Sequence, residues 1–175
     1  MPLPWDGTHA DLPSGWDEGF TRGMTSGRPR TALMAIAIAV APAHKGRQLS
    51  SRMIATFVDG ARSAGLSSGV IAPVRPTWKE RYPLISIEEY MGWRRGDGTH
   101  FDPWLRIHEL VGGEIVAAAP ASMVVRGSAV EWHAWTDMLF PADGEYVFPG
   151  GLATLTVEDG IGTHVEPNVW VLHRV

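Results

Sequence analysis

The sequence predicts an α+β protein with mixed α/β layers, in which helices flank one central sheet. Residues 31–40, TALMAIAIAV, place apolar side chains on both faces, as a buried strand does. Apolar residues in 48–63 recur at helical spacing. Another strand, a second helix and then mostly strands follow, an order typical of helices packed on a sheet. A length of 175 residues suits one compact domain, which we take as residues 1–175.

Composition excludes several classes of protein. The formal net charge is -4, whereas nucleic-acid-binding surfaces are usually basic. The absence of cysteine excludes disulfides, thiolate metal sites and a cysteine nucleophile. The seven histidines are widely spaced and form no HExxH pair, so no metal site is predicted. The N-terminus lacks signal-peptide features, and no apolar run approaches the roughly 20 residues that span a bilayer. We therefore expect a cytoplasmic protein with neither a nucleic-acid nor a membrane partner.

The first part of the chain predicts an irregular lead-in followed by a central strand. Residues 1–30 are rich in Gly, Pro and polar residues, with one helical turn expected near 17–24. In the strand 31–40, Ile36, Ile38 and Val40 fall on one face and alanines on the other. Because both faces are apolar, the strand is expected inside the sheet rather than at its edge.

The elements after this strand are predicted from periodicity and from stop signals. A helix is expected over 48–63, and a second buried strand over 69–76 is ended by prolines. Residues 77–101 are polar and predict a long excursion over the surface or over a cleft. Asp102 is the expected N-cap and Pro103 the first residue of a second helix. Strand segments are then expected in 114–132, 152–159 and 166–175.

The turn between the first strand and the first helix predicts an anion site. A buried strand that runs through a glycine-containing turn into a helix directs free N–H groups and the positive end of the helix dipole at one point. Lys45 and Arg47 add positive charge there, and His44 adds more when protonated. This combination favours a phosphate-bearing ligand.

The same stretch resembles the acyl-CoA-binding motif of the GCN5-related N-acetyltransferase (GNAT) family. In that motif a strand ending in V-x-P is followed by a basic residue, Gly, any residue, Gly or Ala, and an apolar helix. Val40, Pro42, Lys45, Gly46 and Leu49 match it. The resemblance implies an acyl-CoA N-acyltransferase-like fold whose co-substrate, acetyl-CoA or another acyl-CoA, is held through its pyrophosphate. The implied binding residues are Ala39, Val40, Lys45, Gly46, Arg47, Gln48, Leu49 and Ser50.

Two positions and the length of the lead-in depart from the family pattern. Ala43 stands where Gln or Arg is usual, and Gln48 where the second Gly or Ala is usual. A side chain at Gln48 either crowds the phosphate or donates its amide to it. The family fold places two or three strands before the motif strand, and only thirty residues precede Thr31. The chain is thus expected to be N-terminally abbreviated, either as a shortened form or because it begins after those strands, and an unpaired sheet edge favours a homodimer or another partner.

The resemblance covers residues 31–175 and implies transfer of an acyl group to an amine. The phrases APVRPTWKERYP, DPWLRIHELVGG and EPNVW are similar to a bacterial subgroup of GNAT-like proteins with uncharacterised substrates. Many family members carry a tyrosine near the leaving sulfur, on the second helix four residues before a Gly-Phe pair. His108 occupies that position and can donate a proton near neutral pH. Tyr90, or Tyr82, in the excursion is another candidate proton donor, and a packing role is the alternative for each.

Several readings remain open. A general base could come from Glu131, His133 or Asp137, which are otherwise surface residues. The expected acceptor is a small-molecule or peptide amine. The alternative to an enzyme is a non-catalytic GNAT-like module that binds CoA or a protein partner. A third reading is an acyltransferase that uses an acyl carrier protein, with an acidic carrier meeting basic residues, namely Arg94, Arg95 and Arg106.

Overall fold

A computed structural model describes all residues 1–175 and contains a seven-stranded sheet and five α-helices. The strands are β1 (Pro2–Leu3), β2 (Ala32–Met34), β3 (Gly69–Val74), β4 (Glu114–Ser128), β5 (Gly144–Tyr146), β6 (Leu155–Glu158) and β7 (Ile161–His173). The helices are α1 (Trp16–Thr25), α2 (Leu49–Ser63), α3 (Ile87–Tyr90), α4 (Pro103–Leu110) and α5 (Ala129–Thr136). The predicted mixed α/β arrangement is confirmed.

The sheet is mixed, and its longest ladders are made by β7. The strand order is β1-β2-β3-β7-β6-β5, and β4 pairs with β7 as well. Only β2 and β3 are parallel, with α2 as the crossover between them; every other pair is antiparallel. Along β7, residues 161–164 pair with β6 and residues 169–173 pair with β3. Residues 165–168 therefore lie in a gap between two partner strands.

Helices cover both faces of the sheet. Alternate residues of a strand point to opposite faces, and on β7 Trp170 belongs to a different core cluster from Val169 and Val171. The Trp170 cluster lies under α1, and the Val169–Val171 cluster lies under α3 and α4. A third, smaller cluster around Trp132 packs α5 on the β6 hairpin.

Several sequence predictions are confirmed closely. Helix α2 spans Leu49–Ser63 within the predicted 48–63, and β3 occupies most of 69–76. The Asp102 carboxylate accepts hydrogen bonds from the backbone amides of Trp104 and Leu105, so it caps α4 as expected, with Pro103 at the first position. Turn chemistry and apolar period were sufficient to place these elements.

The motif strand is shorter than predicted. Strand β2 covers only Ala32–Met34, and its last ladder bond runs from the Ala35 amide to the Ile71 carbonyl at 2.8 Å. After that point the chain diverges from β3. The backbone amides from Ile36 to Ala41 donate no hydrogen bond within the chain. The apolar pattern of 35–40 thus describes which side chains contact apolar surroundings. It does not predict whether the backbone is hydrogen-bonded to a partner strand.

The lead-in contains more regular structure than the single helical turn expected. It contributes β1 and the ten-residue helix α1. Gly19 and Gly23 are buried on one face of α1, where a Cβ on Gly19 would lie 2.7 Å from the Met34 sulfur. The spacing of these glycines lets the helix approach the sheet closely, and it is a signal that apolar periodicity does not register.

The predicted strand 114–132 ends earlier than expected. Strand β4 stops at Ser128, whose hydroxyl and Glu131 form a reciprocal capping box that starts α5. No α-helix of the structure combines the length and apolar character that crossing a bilayer requires. The N-terminal abbreviation and the homodimer stay predictions.

Candidate active site

The divergence of residues 36–41 from β3 opens a cleft in the sheet. It contains two adjoining cavities that share Ile38, Arg75 and Trp104. The outer cavity, of about 790 Å³, lies at the N-terminus of α2, and the inner cavity, of about 270 Å³, extends between α2 and α4. The inner cavity is mainly apolar, with lining residues that include Ala35, Ala37, Ala72, Ile54 and Phe57.

The outer cavity contains the predicted anion loop. Gly46 (φ 77°) and Gln48 (φ 56°) adopt left-handed conformations that turn the chain tightly into α2. The amides from Gly46 to Ser51 donate no hydrogen bond within the chain. Free amides in such a turn, at the positive end of a fifteen-residue helix, form an anion-binding concavity.

The structure brings most of the predicted binding residues to this loop. Lys45, Gly46, Gln48, Leu49 and Ser50 line the outer cavity, as does Val40. Ala39 lines a neighbouring cavity of about 390 Å³, together with Val40 and Leu49. Arg47 lines neither cavity; it is exposed, and its guanidinium lies 3.4 Å from Nδ1 of His44.

Gln48 departs from the family pattern, and its side chain forms no hydrogen bond within the chain. Its backbone takes the left-handed conformation that glycine adopts more easily, and its side chain makes no capping hydrogen bond to α2. The carboxamide is consequently available as a donor to a ligand. Lys45 and Arg75 are cations of the outer cavity and Glu80 is its one carboxylate, but Arg75 is also ion-paired with Glu166, so Lys45 supplies the charge that is not paired.

His108 lies on the wall of the inner cavity, and its role as a proton donor stays a prediction. It is 3% exposed, and its Nδ1 lies 2.9 Å from Nε2 of His173. The Trp104 ring packs edge-on against it at 4.4 Å between centroids. Burial, and after it the neighbouring His173, lower the pKa of His108 to about 3. The imidazole is neutral at neutral pH, so any proton it gives comes from a neutral N–H.

Tyr90 is not brought to the cleft. It is fully buried, and its hydroxyl donates to the Asp102 carboxylate at 2.9 Å. Burial and the adjacent Asp102 raise the pKa of the Tyr90 phenol. Because Asp102 caps α4, Tyr90 helps to place the helix that carries His108. Tyr82 packs near Tyr90, with 6.1 Å between the two ring centroids.

The other candidate residues from the sequence lie elsewhere. Glu131 and His133 are exposed on α5, and Asp137 follows that helix, so none lines the cleft. The three arginines suggested for a carrier protein make contacts inside the chain: Arg94 with Glu109, Arg95 with Asp97, and Arg106 with backbone carbonyls. No three His, Asp or Glu side chains gather closely enough to hold a metal ion.

The inner cavity contains polar residues that the sequence did not single out. Glu166 lies in the gap of β7, and both of its carboxylate oxygens are 3.1 Å from Nε of Arg75. Burial alone would raise the pKa of Glu166, but His164 and Arg75 outweigh it and leave the pKa below its usual value. The carboxylate is therefore ionised. Asn168 also faces the cavity, and its side chain accepts from the Ser122 hydroxyl at 2.6 Å.

Comparisons with known proteins point to one family. The chain is 31% identical over 191 residues to the arginine N-acetyltransferase avaD of Aspergillus versicolor, a match that covers 94% of this chain and 66% of the fungal protein. Its fold matches the loading GNATL domain of CurA from Lyngbya majuscula with a TM-score of 0.51 and 16% identity, over 82% of this chain and 55% of that one. No protein-family model matches. The chain thus spans about two thirds of the fungal protein and just over half of the CurA chain.

Proposed function

Because the chain belongs to the GNAT superfamily, we propose that it transfers an acetyl or other acyl group from acyl-CoA to an amine. Its mixed sheet flanked by helices matches a GNAT-like fold. The observation that carries the proposal is the continuous cleft, which joins a loop of free amides to an inner cavity with an ionised carboxylate and a neutral imidazole.

The proposed binding mode uses main-chain groups. The pyrophosphate of the acyl-CoA lies on the amides from Gly46 to Ser51, with Lys45 beside it, because anions bind where free N–H groups and a helix dipole coincide. The pantetheine arm carries amide groups of its own. It bonds to the free backbone amides from Ile36 to Ala41, and the thioester then lies in the inner cavity.

The proposed reaction requires proton transfer at two atoms, the amine nitrogen and the CoA sulfur. The neutral amine attacks the thioester carbonyl carbon, the amine nitrogen loses a proton, the C–S bond breaks, and the CoA thiolate gains a proton. Much of the rate comes from holding amine and thioester together. Glu166 attracts the positively charged acceptor to the cavity, its reacting nitrogen gives one proton to solvent to become the neutral amine, and His108 is the residue beside which the proton of the transfer step moves.

An amino-acid-like amine is the acceptor class that we propose. The fungal relative is named for arginine, and Glu166 supplies the negative charge that a cationic acceptor requires. Arg75 uses Nε for Glu166 and one terminal nitrogen for the Gly150 carbonyl, and its remaining terminal nitrogen makes no bond. That nitrogen is placed to bind an acceptor carboxylate.

The test is release of free thiol from acetyl-CoA by the purified chain with a panel of amines, arginine first, followed by mass spectrometry of the product. Calorimetry with CoA is run on the same sample. Acylated product supports the enzyme. CoA binding without turnover on any amine would leave the non-catalytic module as the better description. A folded sample that binds no CoA at millimolar ligand contradicts both.

A further inference from the structure

Two histidines form a buried pair at one end of the inner cavity. His108 is on the last turn of α4 and His173 on the last residue of β7, 65 positions apart in the chain. They are 3% and 2% exposed, and both line the cavity. Neither ring is hydrogen-bonded to or ion-paired with a charged side chain. The rings therefore have only each other as protein partners.

Gly113 makes this close approach geometrically feasible. It follows the glycine that ends α4, and its amide bonds to the His108 carbonyl at 2.7 Å. A Cβ on Gly113 would lie 2.7 Å from Cε1 of His173 and 2.7 Å from the same carbonyl. Any larger residue would displace the ring of His173. Gly113 thus leaves room for the His173 ring, in addition to following the glycine that ends α4.

The pair has one shared hydrogen bond and two free nitrogens. Nδ1 of His108 and Nε2 of His173 are 2.9 Å apart, while Nε2 of His108 and Nδ1 of His173 are buried without a partner. Two neutral imidazoles hold two protons, and one of them occupies the shared bond. Whichever ring donates, one free nitrogen carries a proton and the other a lone pair. The pair therefore has two tautomers, which differ in which ring donates the shared hydrogen bond and in which outer nitrogen carries the proton.

We propose that His108 and His173 act as a proton relay, in which His173 is the positioning residue that lets His108 first accept and then donate a proton without becoming charged. The inference rests on the proposed acyl transfer. A neutral relay suits this site because burial lowers the pKa of both rings. A single buried histidine would have to become an imidazolium between the two steps, which its surroundings disfavour.

The proton count closes over one turnover. The relay requires the acceptor to reach Nε2 of His108 and a water molecule to reach Nδ1 of His173 when the cavity is occupied, since both nitrogens are buried in the structure. With the shared proton on His108, Nε2 of His108 then takes the proton from the attacking amine, Nδ1 passes its proton to Nε2 of His173, and Nδ1 of His173 releases its proton to water. The pair is now in its other tautomer. Nε2 of His108 then protonates the leaving thiolate, Nδ1 recovers the shared proton from His173, and Nδ1 of His173 takes one from water. An amide and a free thiol form, and the first tautomer returns.

The first experiment examines the pair without any substrate. The intact chain is labelled with ¹⁵N-histidine, and NMR records the nitrogen shifts and the coupling across the N–H···N bond. We expect a coupled pair of neutral rings that persists well below pH 6. Uncoupled rings, or two rings that become charged near pH 6.5, would overturn the relay even if acyl transfer is observed.

The second experiment separates relay from packing. His173→Gln can still bond to Nδ1 of His108 but cannot pass a proton along, and His173→Phe keeps a ring without the bond. The relay predicts that both variants keep their affinity for acetyl-CoA and lose kcat about 100-fold, the lower end for general acid–base catalysis. The parent's solvent isotope effect should curve with deuterium fraction, and that of His173→Gln should be linear.

The outcomes also separate this inference from the proposed function. A kcat for His173→Gln within about twofold of the parent refutes the relay and leaves acyl transfer intact. If His173→Gln fails to fold, the NMR result on the parent decides. If NMR shows the coupled pair but the protein acylates no amine, the proposed function has failed, and the relay fails with it.

Discussion

Replacing Gly46 by alanine tests whether the loop before α2 holds the pyrophosphate. Gly46 has φ 77°, and a Cβ there would meet no atom within 4 Å, so the change acts through backbone strain and not through a clash. Gly65 is a matched control: its φ is 69°, its surroundings are equally open, and it lies beyond the other end of α2. Alanine at either position should lower the free energy of unfolding by about 1–2 kcal/mol.

Only the first substitution should weaken CoA binding. Relief of strain at residue 46 turns the neighbouring amides away from their common point. A hydrogen bond to a charged group contributes about 1.5–3 kcal/mol, so loss of even one weakens binding at least about tenfold. Calorimetry with CoA measures the affinity, and urea unfolding confirms that both variants are folded and equally destabilised. Equal affinity for Gly46→Ala and the parent, or an equal loss for Gly65→Ala, would refute the assignment of the loop.

Three further predictions concern the inner cavity and its support. In His108→Gln, the free energy of unfolding should fall less on acidification than in the parent. The folded pKa of His108, about 3, lies below the unfolded value, so the parent loses up to about 1.4 kcal/mol per pH unit below pH 6.5. Urea unfolding measures this, and the control His9→Gln should follow the parent. Glu166→Gln should raise the KM for a cationic amine at least about tenfold, because a bond to a charged group is lost, while the Kd for CoA stays constant. An unchanged KM would remove Glu166 from the acceptor site. Tyr90→Phe should cost about 1.5–3 kcal/mol of stability through its lost bond to a carboxylate, and the folded fraction should keep the parent's kcat; a large fall in kcat would return Tyr90 to the catalytic candidates.

The parts that could be predicted from the sequence depend on local signals. Apolar period fixes α2 to within a residue, and a side chain with the right capping chemistry fixes the start of α4. The turn that exposes free amides before α2 was also predictable, since the strand, Gly46 and the helix start are adjacent in the chain. The departure of residues 36–41 from the sheet was not, because alternation describes the two faces of a strand and carries no information on its edges.

The pairs that define the inner cavity depend on contacts between distant residues. Arg75 and Glu166 are 91 positions apart, and His108 and His173 are 65 apart. The sequence singles out His108 among these four residues, but it does not indicate which residue lies beside it. The topology brings them together, since β7 returns beside β3 only at the end of the chain. Helix α1 was predicted only as one turn near 17–24 for another reason: its buried face is marked by glycines, which apolar patterns overlook.

The divergence of the chain from β3 also leaves residues 36–41 outside the hydrogen-bonded ladder of the sheet. The amides from Ile36 to Ala41 donate no hydrogen bond within the chain, and an extended ligand with amide groups can accept from them. Folding and ligand occupancy are consequently linked, and a ligand at 100 times its Kd adds about 2.7 kcal/mol to the free energy of unfolding. For the acyl donor proposed above, its supply would also set how strongly the protein resists unfolding, and slower hydrogen exchange at residues 36–41 would report the binding.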